Sequence, residues 1–425
     1  ADVAEALLQL YPERSEELAP VLAHHFERAG DHERALEQLI VAARGARARF
    51  ARHEAVDLAK RALALLPQGE EIDDEQRCLR GELRQLWSEA GVDFEPLANT
   101  LEALSLVVAD ADALGDTTMA ARANLLAVKA RSLGGEQYRS SPELVSTLER
   151  ARALAKRSGS PELVAMALLA TAETRYASSE FGLAIELFER AIPALVETEQ
   201  LLDASVAAGF LGTAYGHVGE FEPAIEWTDR AYQLGVDSGD PNASLDADLA
   251  RSIVESIRGD TDAAIEYAGK AAEAAGRVDN KACAMVAHSV IGEQHLSTGD
   301  AAQATIAFEA SADLAAFCQF MPVKVEQTEL LLQTARAGAG TAQLDLRRYD
   351  KALELARQFG DRLAEAQLYE QRARDRSRTG QDELVEGDLE RAQALFEDIG
   401  GSAHVRRVQE LRQGLSSPSS ARLTS

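Results

Sequence analysis

Aromatic residues make up only 5% of this 425-residue chain, cysteine occurs three times, and Lys and Arg number 44 against 70 Asp and Glu. Few aromatics and few β-branched runs argue against a sandwich or barrel, whose strands draw on those residues. Cys78, Cys283 and Cys318 are odd in number and share no spacing that a disulfide framework or zinc site needs, which fits a reducing cytoplasm. The deficit of positive charge leaves a net −26, which opposes binding to nucleic-acid phosphates. Apolar stretches such as Leu106 to Ala109 fall far short of the roughly 20 residues of a membrane span. No charged-then-apolar leader opens the chain, and a start at Ala1 reads as an excised piece of a longer protein.

Ala, Leu, Glu and Arg are abundant instead, and 46% hydrophobic content excludes disorder, so helix is expected throughout. A register supports this. Ala184, Ala224, Ala264 and Ala304 stand 40 residues apart, and the same step reaches Leu144 and Leu104 on one side and Leu344 on the other. Four residues on are Val108, Leu148, Phe188, Thr228, Ala268, Phe308 and Arg348; seven on are Ala111, Ala151, Ala191, Ala231, Ala271 and Ser311. Spacings of 0, 4 and 7 trace one stripe of a helix. The turns recur too, as Gly219-Glu220, Gly259-Asp260 and Gly299-Asp300, with Ser179-Glu180 as a variant. Glycine accepts the left-handed conformation that stops one helix, and the acid suits the start of the next. Gly159-Ser-Pro161, Gly239-Asp-Pro241 and Gly360-Asp361 repeat the device between units. No stretch alternates with period two, so no strand is expected.

Leu211, Gly212, Tyr215, Gly219, Ala224, Thr228 and Ala231, echoed by Ile291, Gly292, Gly299, Ala304 and Phe308, resemble the tetratricopeptide repeat, here with a 40-residue unit. The resemblance implies an all-α solenoid, a right-handed superhelix of helical hairpins in which each repeat touches only its neighbours. Tyr11 to Asp31, with Arg34 to Leu39, looks like the segment that joins the ATPase core to the repeats in bacterial STAND-type multidomain proteins, where a cyclase, kinase or DNA-binding module is coupled upstream. Helices are expected there at 15–29, 32–49 and 53–66. The expected organisation is a helical linker at 1–66, an irregular helical pair at 67–115, regular repeats at 116–398, a capping helix at 399–414 stopped by Gly414, and a disordered tail at 415–425. Val385, Leu389 and Ala392 have slipped one residue out of register.

Catalytic chemistry is hard to find. No Gly-x-x-x-x-Gly-Lys-Ser/Thr cradle and no nucleophile elbow is present. His288 and His295 share a helix face but lack further ligands, and His24 and His25 stand without a nucleophile beside them. No cofactor and no metal is expected, and the chain reads as non-enzymatic. Residues 67 to 330 hold −24 of the net charge, while arginines cluster at Arg44, Arg47, Arg49 and Arg52 and at Arg372, Arg374, Arg376 and Arg378. Those runs lack interleaved aromatics and read as solvated faces or protein contacts.

The concave surface is what is left. In the resembled repeat family the first helix of each unit lines the inner groove, and carried over by register that resemblance implies Glu173, Tyr176, Thr213, His217, Asp246, Ile253, Glu293, Leu296, Gln333 and Arg336 among its residues, an apolar groove with sparse acids. It suits a basic or amphipathic protein segment. Leu169, Leu249, Ile253 and Ile257 have a competing role in packing between repeats. The register and the two resemblances together imply a cytoplasmic array that binds a protein, peptide or other ligand, expected to be the regulatory sensor region of a bacterial ATPase-coupled signalling protein. Its partners would include the upstream ATPase and effector domains of the parent chain. A free-standing scaffold or adaptor for complex assembly is the alternative.

Overall fold

The computed structural model describes residues 2–49, 51–67, 72–92, 95–133, 141–240, 244–318 and 321–416. The described residues form helices and no strand: α1 (Asp2–Leu10), α2 (Ser15–Ala29), α3 (His32–Ala48), α4 (Arg52–Leu65), α5 (Asp74–Gly91), α6 (Leu97–Leu114) and α7 (Thr117–Leu133) come first. Then follow α8 (Pro142–Ser158), α9 (Pro161–Ala177), α10 (Phe181–Glu197), α11 (Leu201–Val218), α12 (Phe221–Ser238), α13 (Ser244–Arg258) and α14 (Thr261–Arg277). The last are α15 (Lys281–Ser297), α16 (Ala301–Ala315), α17 (Pro322–Gly338), α18 (Arg348–Gln358), α19 (Arg362–Arg378), α20 (Val385–Asp398) and α21 (Ser402–Ser416). The fold is an α-solenoid of the tetratricopeptide type: successive helices pair as hairpins, and the first helices of adjacent hairpins, α11, α13, α15, α17 and α19, pack on one another.

Two compact units divide the chain, one of Ala1–Gly134 and Pro142–Ala167, the other of Gly135–Ser141 and Leu168–Ser425, so the division falls within α9. The segments expected at 1–66 and 67–115 lie in the first unit, the regular repeats run from one unit into the other, and 399–414 lie in the second. Of the tail, 417–425 lie outside the described residues. In the first unit Ala19, Leu39, Ala43, Ala55, Ala59 and Leu83 form the core of α2 to α5. Asp110 on α6 is buried there among Arg77, Arg80 and Arg84.

The turn chemistry explains where helices stop. Gly219, Gly259 and Gly299 take φ of 87°, 89° and 84°, and Ser179 takes 61° in the same role. Asp260 and Asp300 then cap the next helices, accepting from Ala263 N at 3.2 Å and Gln303 N at 3.0 Å. The stripe is buried as its spacing requires: Ala184, Ala224, Ala264 and Ala304 with Phe188, Thr228, Ala268 and Phe308. Gly212 and Gly292 are where the two helices of a hairpin touch. A Cβ on Gly212 would lie 2.9 Å from Ala224 O, and one on Gly292 would lie 2.7 Å from the Phe308 ring.

Three expectations need correction. The 40-residue step fails at Leu344, which sits in the connection between α17 and α18, while Arg348 only opens α18. Tyr349, Leu353 and Ala356 carry the buried 0, 4, 7 stripe instead, because the connection after Gly338 is longer than elsewhere and shifts the phase. Gly414 does not stop the last helix; α21 runs to Ser416 with Gly414 inside it, and Gly414 lacks the positive φ of the glycines that stop helices elsewhere in the chain, such as Gly219. Nor does each repeat touch only its neighbours: within the second unit, α21 packs on α20 and also on α11 and α13.

Candidate binding groove

The ten residues named above for the concave face lie in the second unit, on α9 from Leu168 onward and on α11, α13, α15 and α17. Tyr176, Thr213 and His217 come together. Thr213 Oγ1 lies 3.1 Å from Tyr176 OH, and the Tyr176 ring sits 5.6 Å from Phe181, 5.0 Å from Phe210 and 6.3 Å from His217. The other expected residues are spread along the array. Glu173 and Ile253 are half-buried and Asp246 is exposed. Glu293 accepts from Ser289 Oγ at 3.1 Å and faces Lys324 Nζ at 3.6 Å. Leu296 packs with Phe308 and Leu332 between repeats, and Leu249 joins a second such cluster with Leu245 and Ala271. Gln333 is half-buried, while Arg336 is exposed and pairs with Glu309 at 2.8 Å.

What closes over the Tyr176 cluster is the chain's own last helix. His217 Nδ1 and His404 Nε2 are 2.8 Å apart across 187 residues of sequence. Rings stack through the contact, Phe181 on His217 at 4.5 Å and His404 on Phe396 at 4.8 Å. Ser402 Oγ donates to Val218 O, the exposed carbonyl end of α11. Val408 is buried in the same core as Phe181, Ala214 and Tyr349, with Tyr176, Val405, Leu411 and Leu415 packed against it. Both imidazoles are almost fully buried, at 4% and 1% exposure. Burial and the nearby Arg407 cation push His217 down to about 3, and the same causes, with His217 itself, push His404 well below its ordinary value. Both rings are therefore neutral at pH 7, and the proton in their hydrogen bond belongs to one of two tautomers.

A second anchor is ionic. Arg407 forks onto Glu370 of α19, with Nε to Oε1 at 2.8 Å and Nη2 to Oε2 at 2.6 Å, and Arg374 reaches Oε1 at 2.6 Å. Burial alone would raise the Glu370 carboxyl, but Arg407 and Arg374 outweigh it and hold the carboxyl below its usual value. Glu370, and behind it Glu293, offset the desolvation that works against the Arg407 cation. Sequence reading named neither Glu370 nor Arg407; both lie outside the repeat register, and only a fold-back contact joins them.

The C-terminal arginine run is not a solvated face. Arg372 forks onto the buried Asp388 at 2.9 and 2.7 Å, Arg376 joins it at 2.7 Å, and Arg378 holds the buried Asp375 at 3.0 Å. Asp375 also accepts from Thr334 at 2.7 Å and Tyr349 at 2.8 Å, where burial first and the carboxylate second push the phenol well above its ordinary value. At the other end, Arg44 pairs with Glu82 at 2.7 Å and Arg47 with Glu89 at 3.3 Å.

Among the described residues no three His, Cys, Asp or Glu are grouped to hold a metal ion, and no helix is long and apolar enough to cross a membrane. A cavity of about 290 Å³ in the first unit opens beside Arg80, Arg84 and Trp87, and none of the groove residues lines it.

No protein-family model and no curated protein matches the chain. Among solved structures it is similar to a Rap protein complexed with competence and sporulation factor, at 12% identity over 79% of this chain and 98% of that one, with a TM-score of 0.54. It is also similar to aspartyl phosphate phosphatase F from Bacillus subtilis, at 13% identity over 89% and 94%, with a TM-score of 0.51. A STAND protein with a tetratricopeptide repeat sensor from Pyrococcus horikoshii aligns at 14% identity over 94% and 73%, with a TM-score of 0.45. At these identities the first two establish the helical-repeat fold.

Proposed function

We propose that the chain is a non-enzymatic recognition array whose second unit holds a basic or amphipathic protein segment on its concave face. On this reading it is the regulatory sensor region of an ATPase-coupled signalling protein, and upstream ATPase and effector domains of the parent chain are its other partners. One observation supports the reading: α21 packs beside Tyr176 and His217, two of the residues expected on that face. α21 is an amphipathic helix with Arg406, Arg407 and Arg412 against a single Glu410, and its apolar side enters the core beside Tyr176 while Arg407 meets Glu370. An apolar floor supplies most of the holding energy in such a contact and the charges steer it. The Rap protein solved with competence and sporulation factor supports the reading, since that architecture accommodates a ligand.

Anisotropy of labelled basic amphipathic helical peptides titrated with the full chain tests this. Basic peptides should bind, acidic ones of equal length should not, and Tyr176→Ala should weaken binding more than loss of any exposed glutamate. Equal binding of acidic peptides, or an unchanged affinity after Tyr176→Ala, would remove the groove from the account. The same preparation should show no ATP hydrolysis that follows the protein through successive columns.

A further inference from the structure

Resting on that reading, we infer that α21 is an exchangeable occupant: the partner enters the concave face of the second unit as a helix and displaces α21. The segment that fits repeats the α21 pattern, four apolar residues spaced as Val405, Val408, Leu411 and Leu415 with an arginine at the Arg407 place.

Four features of α21 point to exchange rather than to a permanent cap. Its tether to α20 is Ile399-Gly400-Gly401, with Gly400 at φ 72°, so the hinge is built from two glycines. Its hold on the groove is uneven: Ala403, His404 and Val408 are buried, but Val405, Leu411 and Leu415 are half-covered and Gln409, Glu410 and Gln413 face solvent. The contact is imperfectly satisfied, because His404 Nδ1 is buried with no hydrogen-bond partner, which costs the docked state free energy. Finally, the groove atoms that α21 engages are ones an incoming helix can reuse. Glu370 is held by a guanidinium fork that any positioned arginine can replace, and Val218 O takes its bond from a side chain rather than from the backbone of a continuing helix.

Exchange makes a quantitative demand. A tethered helix competes at an effective concentration on the order of millimolar, so a free segment of equal intrinsic affinity binds the resting chain weakly and binds tightly once α21 is loosened. The probe is a fluorescein-labelled peptide with the sequence of residues 402–416, titrated with the full chain and read by anisotropy. Arg407→Glu and Val408→Asp in the chain should each tighten binding by about tenfold or more.

The opposite variant locks the helix. A Cβ built on Gly219 lies 3.8 Å from Ala403 Cβ, the separation a disulfide adopts, so Gly219→Cys with Ala403→Cys joins α21 to the end of α11. In a Cys78→Ser, Cys283→Ser background the oxidised lock should abolish peptide binding, and reduction should restore it. The reduced form also controls for the strain of a side chain at the positive φ of Gly219. Equal binding by resting, loosened and locked chains would place the peptide elsewhere and overturn the inference. So would no binding by either loosened chain while its helical dichroism is intact. If the loosened chains bind this peptide and no unrelated basic amphipathic peptide binds at all, exchange stands and the broader recognition role falls.

Discussion

Acidification from pH 8 to pH 5 should destabilise the second unit through His217 and His404. Both rings are neutral in the fold because burial and Arg407 depress them, His217 to about 3. In the unfolded chain each has an ordinary value near 6.5. Below that pH the unfolded state binds more protons than the native one, so stability rises with pH through this window and is lost as pH falls below about 6.5. At pH 5 the difference for His217 is about 2 kcal/mol, at about 1.4 kcal/mol per pH unit per proton, and His404 acts in the same direction. The two would-be cations face each other across 2.8 Å and also face Arg407, with no carboxylate between the rings. His404 is carried by α21, so undocking of that helix would be the first loss, which limits the global effect. Urea unfolding followed by circular dichroism at the two pH values, compared with His217→Gln/His404→Gln, isolates the contribution. The double variant should lose less on acidification, by about 2 kcal/mol or more. Identical pH dependence in both proteins would mean that the rings are not buried against each other.

Gly292→Ala should cost about 1–3 kcal/mol, because its Cβ meets the immobile Phe308 ring, whereas Gly269→Ala, with nothing within 4 Å, should gain up to about 1 kcal/mol from helix propensity; urea midpoints compare them. Asp388→Ala leaves Arg372 and Arg376 inside without their carboxylate and should cost about 3–5 kcal/mol, against under about 1 kcal/mol for the exposed Asp229→Ala, read as melting temperatures. For a basic peptide on the groove, raising salt from low to physiological strength should slow association several-fold with little change in dissociation, as stopped flow would record.

The repeat was legible because its signals are local. A glycine at positive φ, an aspartate cap and a 0, 4, 7 stripe are each written within one helix and its turn, so Gly219, Asp260 and the Ala264 stripe could be read directly. The phase error at Leu344 arose where the connection between α17 and α18 lengthened, since a fixed period cannot register an insertion that leaves the helices themselves unchanged. The arginine run was misread for a related reason. Arg372 and Arg376 are four apart and share a helix face, but the carboxylate they meet, Asp388, belongs to the next helix. Tyr176, Thr213 and His217 follow from the register as residues of one face of the first helices, and their side chains do lie together. Their cover does not follow from it, because the His217–His404 contact joins positions 187 residues apart and no periodicity spans it.

The most direct measurement of the central claim is the distance between α11 and α21 in the intact chain. Spin labels on cysteines replacing the exposed Glu220 and Gln409, with Cys78 and Cys283 changed to serine, report it by pulsed electron resonance. The resting chain should give one narrow, short distribution, which becomes long and broad when saturating 402–416 peptide takes the place of α21. A long or broad distribution at rest, or a short one that bound peptide does not alter, would contradict the account.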